Sequence, residues 1–333
     1  MIIHYQLSTI NYQLSTIKMP FIETSTLTRS PFWQFNGHLE TILASFRKVV
    51  GVTYERERID TPDGDFLDLD WVDNGASKLV ILTHGLEGHS GRPYIMGMAK
   101  LFSLNGYDVL AWNCRSCSGE LNKAFRFYNH GDIEDIDLVV NTALRRKNYD
   151  NIVLVGFSMG GNISLKYAAV VQNPAISKVV AFSAPLDMRS SLDILDKASN
   201  WLYKTMFIKD LQPKMEMKSR LFPERVSLEY IKKKKDWMEM LKTYFCTFNG
   251  YASMKDFFEK GSALNFIPDI KIPALIVQAQ NDPFLTPQCF PIDLAKKHPF
   301  IHLETPPKGG HCAFMTPDNT EFSWAERRSL AFV

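Results

Sequence analysis

The sequence contains no uninterrupted apolar run approaching the ~18 residues a membrane-spanning helix needs. Its charge has no dominant sign: Lys+Arg 38 against Asp+Glu 36 leaves a formal net charge of +2. No overall basic field therefore exists to hold nucleic acid, and no nucleic-acid partner is expected. Cysteine is sparse and odd in number, 5 in 333 residues, which argues against a disulfide framework and for a reducing, cytoplasmic compartment. A hydrophobic content of 45% with 22% charged residues excludes a disordered or fibrous chain. At ~150 residues per domain, the length suits one large domain or two ordinary ones.

The N-terminus opens with a tandem repeat. His4-Tyr5-Gln6-Leu7-Ser8-Thr9-Ile10 is followed by Asn11-Tyr12-Gln13-Leu14-Ser15-Thr16-Ile17, identical in six of seven positions. Two polar copies make no coiled coil, and the basic start and sustained apolar core of a signal peptide are missing. Residues 1–18 read as a disordered, non-native extension from repetitive upstream DNA, with natural translation starting at Met19.

From about residue 49 the pattern alternates between strands and helices. Val49–Glu55 and Phe66–Val72 read as strands flanking the turn Thr61-Pro62-Asp63-Gly64. Bare apolar runs follow at Leu79–Leu82, Val109–Trp112, Ile152–Val155, Val179–Phe182 and Ala274–Val277, with helical stretches between them. Such runs suit parallel strands covered on both faces, and the alternation predicts an α/β layered sheet. Residues 186–264 break it. They carry helical periodicity and many Met and aromatic side chains, including Trp201, Met215, Met240 and Phe245. The expected division is a core over 19–185 and 265–333, with 186–264 as a helical cap whose side chains are partly core and partly the lining of an apolar pocket. The run Lys232-Lys233-Lys234-Lys235 reads first as a solvated helix face; a transient membrane-surface contact is the lesser reading.

Chemistry concentrates at Gly156-Phe157-Ser158-Met159-Gly160-Gly161, between the run Ile152–Val155 and a good helix starting near Asn162. Strand, abrupt turn and helix are the context that a G-x-S-x-G nucleophile elbow requires. A serine hydroxyl needs an adjacent base, itself oriented by a carboxylate, and in this arrangement the order is Ser, acid, His. Of the later histidines, His302 sits in an alternating strand and reads as solvent-facing, and His298 lies in a polar turn. His311 follows Gly309-Gly310 in a loop beyond the last strand and is the chosen base. Asp282, in the loop after Ala274–Val277, is the chosen acid, ahead of Asp187. The oxyanion donors expected are the backbone N–H groups of Met159 and of Leu86, in the loop Thr83-His84-Gly85-Leu86-Glu87-Gly88. His84 and His89 read as loop-stabilising.

Three patterns are weighed and set aside. Cys114-Arg115-Ser116-Cys117 has C-x-x-C spacing, but no second pair completes a zinc site. Cys312 beside His311 reads as a packed side chain. The glycines around Ser158 do not make a dinucleotide loop, because the serine explains them better.

With these residues assembled, the chain resembles the α/β-hydrolase superfamily and, more narrowly, the YheT-like (AB hydrolase 4) family of esterases. The similarity runs from about Pro31 to the C-terminus. It is carried by the elbow, by Asn36-Gly37-His38-Leu39-Glu40-Thr41-Ile42, by His84-Gly85-Leu86-Glu87-Gly88, by Arg115-Ser116-Cys117-Ser118-Gly119-Glu120 and by Gly309-Gly310-His311. The resemblance implies a Ser158–Asp282–His311 triad, action on carboxylic esters of short to medium chain or on acylglycerols, and no cofactor or metal. The chain departs from the family pattern at Glu40, where relatives usually carry Gln, and at Ser116, where they usually carry Gly. A histidine near Tyr128-Asn129-His130-Gly131 is displaced by one position, leaving the roles of Arg115 and His130 unassigned. Two other activities share the pattern: acyl transfer to an alcohol with the same triad, and apolar-ligand binding without catalysis.

Overall fold

The computed structural model describes residues 21–233, 236–317 and 320–333. The tandem repeat, with Lys234 and Lys235 of the lysine run, therefore lies outside the described residues. The chain runs β1 (Phe21–Ile22), α1 (Gly37–Ala44), β2 (Glu55–Asp60), β3 (Phe66–Val72), β4 (Lys78–Thr83), α2 (Pro93–Leu104), β5 (Asp108–Asn113), α3 (Glu134–Arg146), β6 (Asn151–Phe157), α4 (Met159–Val170) and β7 (Ile176–Phe182). Helices follow: α5 (Met188–Leu195), α6 (Trp201–Leu221), α7 (Leu228–Lys232), α8 (Trp237–Lys242) and α9 (Met254–Gly261). The chain then re-enters the sheet through β8 (Ala274–Val277), α10 (Ile292–Lys297) and β9 (Ile301–Glu304), and ends in α11 (Trp324–Phe332).

The strands form one sheet in the order β1-β9-β8-β7-β6-β4-β5-β3-β2. Only β5–β3 and β3–β2 pair antiparallel. Along β6, Ile152 and Leu154 enter one apolar layer while Val153, Val155 and Phe157 enter the other. That period of two, apolar on both faces, is why the central strands read as bare hydrophobic runs. A third apolar cluster gathers side chains of α5 to α9, including Leu192, Tyr203, Met215 and Phe257.

The expected strand at Val49–Glu55 is displaced to Glu55–Asp60. Glu55-Arg56-Glu57-Arg58-Ile59-Asp60 has no apolar alternation, because this edge strand is held by charge. Arg56 pairs with Asp70 at 2.7 Å and Arg58 with Asp68 at 2.8 Å across the β2–β3 ladder. His302 also departs from expectation: it is half-buried and its ring meets Phe332 of α11 at 5.4 Å, since the C-terminal helix covers that face.

Arg115, just beyond β5, is 2% exposed. Its Nε donates to Asp135 at 2.8 Å, and its Nη1 to Asp63 at 3.0 Å and Asp65 at 3.3 Å. One cation thus ties the β2–β3 turn to the first turn of α3. His130 is also buried, with its ring 6.3 Å from both Phe245 and Phe257. Burial drives its pKa down to about 3, so the imidazole is a neutral packing group. Arg115→Ala would take the guanidinium from Asp63 and Asp65 and leave Asp135 only the more distant Arg126, at 4.0 Å. We expect it to cost about 3–5 kcal/mol in urea unfolding; a loss below about 1 kcal/mol would contradict the clustered-charge account.

Candidate active site

Ser158 leaves the carboxyl end of β6, near the middle of the sheet, with φ 53° and ψ −120°. A non-glycine residue at positive φ is strained and persists only where its surroundings hold it. Two contacts do so. The Ser158 N–H donates to Phe182 O at the end of β7, at 2.8 Å. A Cβ on Gly160 would come within 2.2 Å of Thr83 O, so the start of α4 presses directly on the end of β4. A Cβ on Gly156 would likewise lie 2.2 Å from Gly160 O. Both glycines of the elbow are thus required by contact.

The loop after β4 lies against the elbow, close enough that a Cβ on Gly85 would be 3.1 Å from Ser158 Cβ. His84 staples this loop to β5. Its Nε2 accepts from Cys114 N–H at 3.0 Å, so the other ring nitrogen carries the proton and Nδ1–H donates to Gly85 O at 2.7 Å. Burial lowers the His84 pKa to about 4, so the ring is a weak proton acceptor, and both of its nitrogens are already committed. Met159 opens α4, where the first backbone N–H groups have no carbonyl a turn earlier to receive them. Leu86 N–H also has no hydrogen-bond partner among the described residues.

Asp282 lies in the loop after β8, its carboxylate closed to solvent. Oδ1 accepts from Phe284 N–H at 2.8 Å, and both oxygens face His311 Nδ1, at 2.9 and 3.1 Å. His311, in the loop after β9, packs its ring on Phe284 at a centroid distance of 4.2 Å. Burial alone would lower the imidazole pKa, but the adjacent Asp282 carboxylate outweighs it and holds the pKa well above the usual value. With Nδ1 committed to Asp282, Nε2 is the nitrogen left for a second partner. No hydrogen bond joins it to Ser158 Oγ among the described residues, yet Ser158 and His311 line the same pocket of about 190 Å³. Gly85 and Leu86 line it as well, and Tyr94, Phe157 and Phe207 supply apolar wall.

The competing residues lie elsewhere. Asp187 caps α5, accepting from Ser190 N–H at 2.8 Å. His298 Nε2 meets Pro268 O at 3.1 Å. Cys114 and Cys117 are free thiols, pushed up by burial, Cys117 to about 12. Phe284 and Tyr94, whose hydroxyl accepts from Gly85 N–H at 3.2 Å, were not singled out in the sequence, and no motif marks them.

The Asp282–His311 geometry carries a direct electrostatic consequence. The carboxylate favours the protonated ring, so His311 should titrate by NMR above the ordinary ~6.5, and Asp282→Asn should bring it to that value or below. An unchanged titration in Asp282→Asn would contradict the pairing.

Comparison with known proteins agrees with the architecture. A family model described as the alpha/beta hydrolase fold matches residues 78–318. YheT of Escherichia coli, which carries an esterase name, is 29% identical over 289 residues, covering 84% of each chain. The mouse protein named phospholipase ABHD3 is 27% identical over 295 residues, covering 85% of this chain and 72% of that one. Mouse monoacylglycerol lipase ABHD2 is 24% identical over 310 residues, again covering 85% and 72%. Among solved structures, the Pyrococcus furiosus esterase Pf2001 superposes with a TM-score of 0.56 at 20% identity, over 85% of this chain and 96% of that one. Strand order, elbow and family match converge: the chain belongs to the α/β-hydrolase family and is similar to YheT within it.

Proposed function

We propose that this protein is a serine hydrolase of carboxylic esters, acting through an acyl-enzyme on Ser158. The observation that carries the reading is the shared pocket, which sets a serine on a strained elbow beside an imidazole already bonded through Nδ1 to a buried carboxylate. His311 Nε2 takes the Ser158 proton as Oγ attacks the ester carbonyl, then delivers it to the departing alcohol. Water, activated by the same ring, releases the acid. Asp282 fixes the tautomer and stabilises the imidazolium. Leu86 and Met159 N–H groups hold the oxyanion, each worth about 3 kcal/mol in comparable enzymes. The serine–imidazole bond forms in the substrate complex, since such bonds are often long or misaligned in free enzymes.

The modest apolar pocket suits a short- to medium-chain acyl group. The phospholipase and monoacylglycerol lipase names of the relatives favour a glycerol-based alcohol portion. Residues 186–264 act as a cap in this reading, because Phe207 of α6 and Phe284, which packs with the helical cluster, both reach the pocket. No helix among the described residues is long and apolar enough to cross a membrane.

Ser158→Ala should abolish hydrolysis of aryl butyrates and monoacylglycerols, a fall of at least about 10³-fold, with an unchanged unfolding midpoint. Undiminished turnover would refute the assignment. Because a base must be neutral to act, kcat/KM should rise with pH through the raised His311 value. Asp282→Asn should lower kcat by about 10³–10⁴-fold and move the acidic limb to lower pH; an unmoved limb would count against Asp282 as the partner.

A further inference from the structure

Asp282 and His311 both sit in irregular loops, so their contact alone does not set where the pair stands relative to Ser158. The short helix α1 contacts both loops at their backbones. Glu40, 1% exposed, directs Oε2 at two groups: it accepts from Gly309 N–H at 2.7 Å and from Asn281 Nδ2 at 3.0 Å. Oε1 accepts from the Ser30 hydroxyl at 2.7 Å. Asn281 is oriented unambiguously, because its Oδ1 accepts from Gly310 N–H at 3.1 Å and only the amide nitrogen remains to face Glu40. One residue along, Thr41 Oγ1 accepts from His311 N–H at 2.8 Å and donates to Gly37 O at 2.6 Å.

The packing leaves no slack. A Cβ on Gly37 would fall 1.8 Å from Asn281 O, and one on Gly310 would fall 2.8 Å from Glu40 Cβ. Glu40 therefore bridges the residue before the acid and the glycines before the base, with no Lys or Arg partner of its own among the described residues.

We propose that Glu40 is a positioning residue: its carboxylate locks the Asp282 and His311 loops to each other and to α1, fixing where the imidazole stands over Ser158. This rests on the serine-hydrolase reading above. Glutamine at this position could keep the arrangement, its carbonyl oxygen accepting both N–H groups while its amide donates to Ser30 Oγ. Alanine could not.

Full-length wild type, Glu40→Ala, Glu40→Gln and Ser158→Ala would be compared for aryl butyrate hydrolysis, thermal unfolding and the low-field ¹H NMR signal of the His311 Nδ1–H. In Glu40→Ala we expect kcat to fall about 100-fold, the scale of a ~1 Å misplacement, with KM within about 3-fold and the signal shifted or broadened. In Glu40→Gln we expect kcat within about 3-fold of wild type and an unmoved signal. If Glu40→Ala does not fold, Glu40→Asp, one methylene short, is read in its place. Wild-type kcat in Glu40→Ala beside an inactive Ser158→Ala would overturn the positioning role alone. An unmoved signal with kcat and stability falling equally in Glu40→Ala and Glu40→Gln would reduce Glu40 to a structural residue. An active Ser158→Ala would instead overturn the hydrolase reading, and the NMR signal would still decide whether Glu40 holds the pair.

Discussion

The structure turns on how closely the start of α4 approaches the end of β4. At Gly160 the separation from Thr83 O is too small for any side chain, and this contact pins Ser158 at φ 53°. The same approach brings Gly85 against the serine, and in that loop the Leu86 N–H has no hydrogen-bond partner among the described residues. Elbow strain and the close approach of this loop are therefore two results of one packing constraint. The parallel pairing of β6 between β4 and β7 supplies the rigid base on which that constraint acts.

The other half of the site is built differently. Asp282 and His311 stand on loops after β8 and β9, adjacent parallel strands just inside the β1 edge. Their order comes from side-chain and backbone hydrogen bonds rather than from a strand–turn–helix junction. His311 touches Asp282 through its ring, Thr41 through its backbone, and Phe284 through its face. Phe284 also meets Tyr203 of α6, with ring centroids 4.6 Å apart, and Tyr203 stacks on His38 of α1. The helices that follow β7, the short α1 and the His311 ring are thus joined through aromatic contacts. A displacement of α6 would be felt at the imidazole.

Much of this was legible in the sequence, for physical reasons. The buried parallel strands announce themselves because both faces are apolar, so Ala274–Val277 is found as expected, whereas Phe66–Val72, antiparallel to both neighbours, is found beside its turn. The elbow is legible because sterics leave only glycine at two positions around Ser158. Strand β2 is not, because an edge strand held by Arg–Asp pairs has no hydrophobic period to read. Arg115 and His130 could not be assigned from local pattern, since the partners of one lie on the β2–β3 turn and α3, while the other is defined by burial alone. Glu40 and Thr41 belong to a string that signals the family, but their reach to Gly309 and His311 spans some 270 positions of sequence. Only the folded chain brings them together.

The most direct measurement is covalent. Incubation with a fluorophosphonate, followed by peptide mass spectrometry, should find a single adduct on Ser158, formed rapidly in the wild type and at least about 100-fold more slowly in His311→Ala, whose serine has lost its base. An adduct on another residue, or labelling of Ser158 at the same rate without His311, would contradict a serine activated by that imidazole.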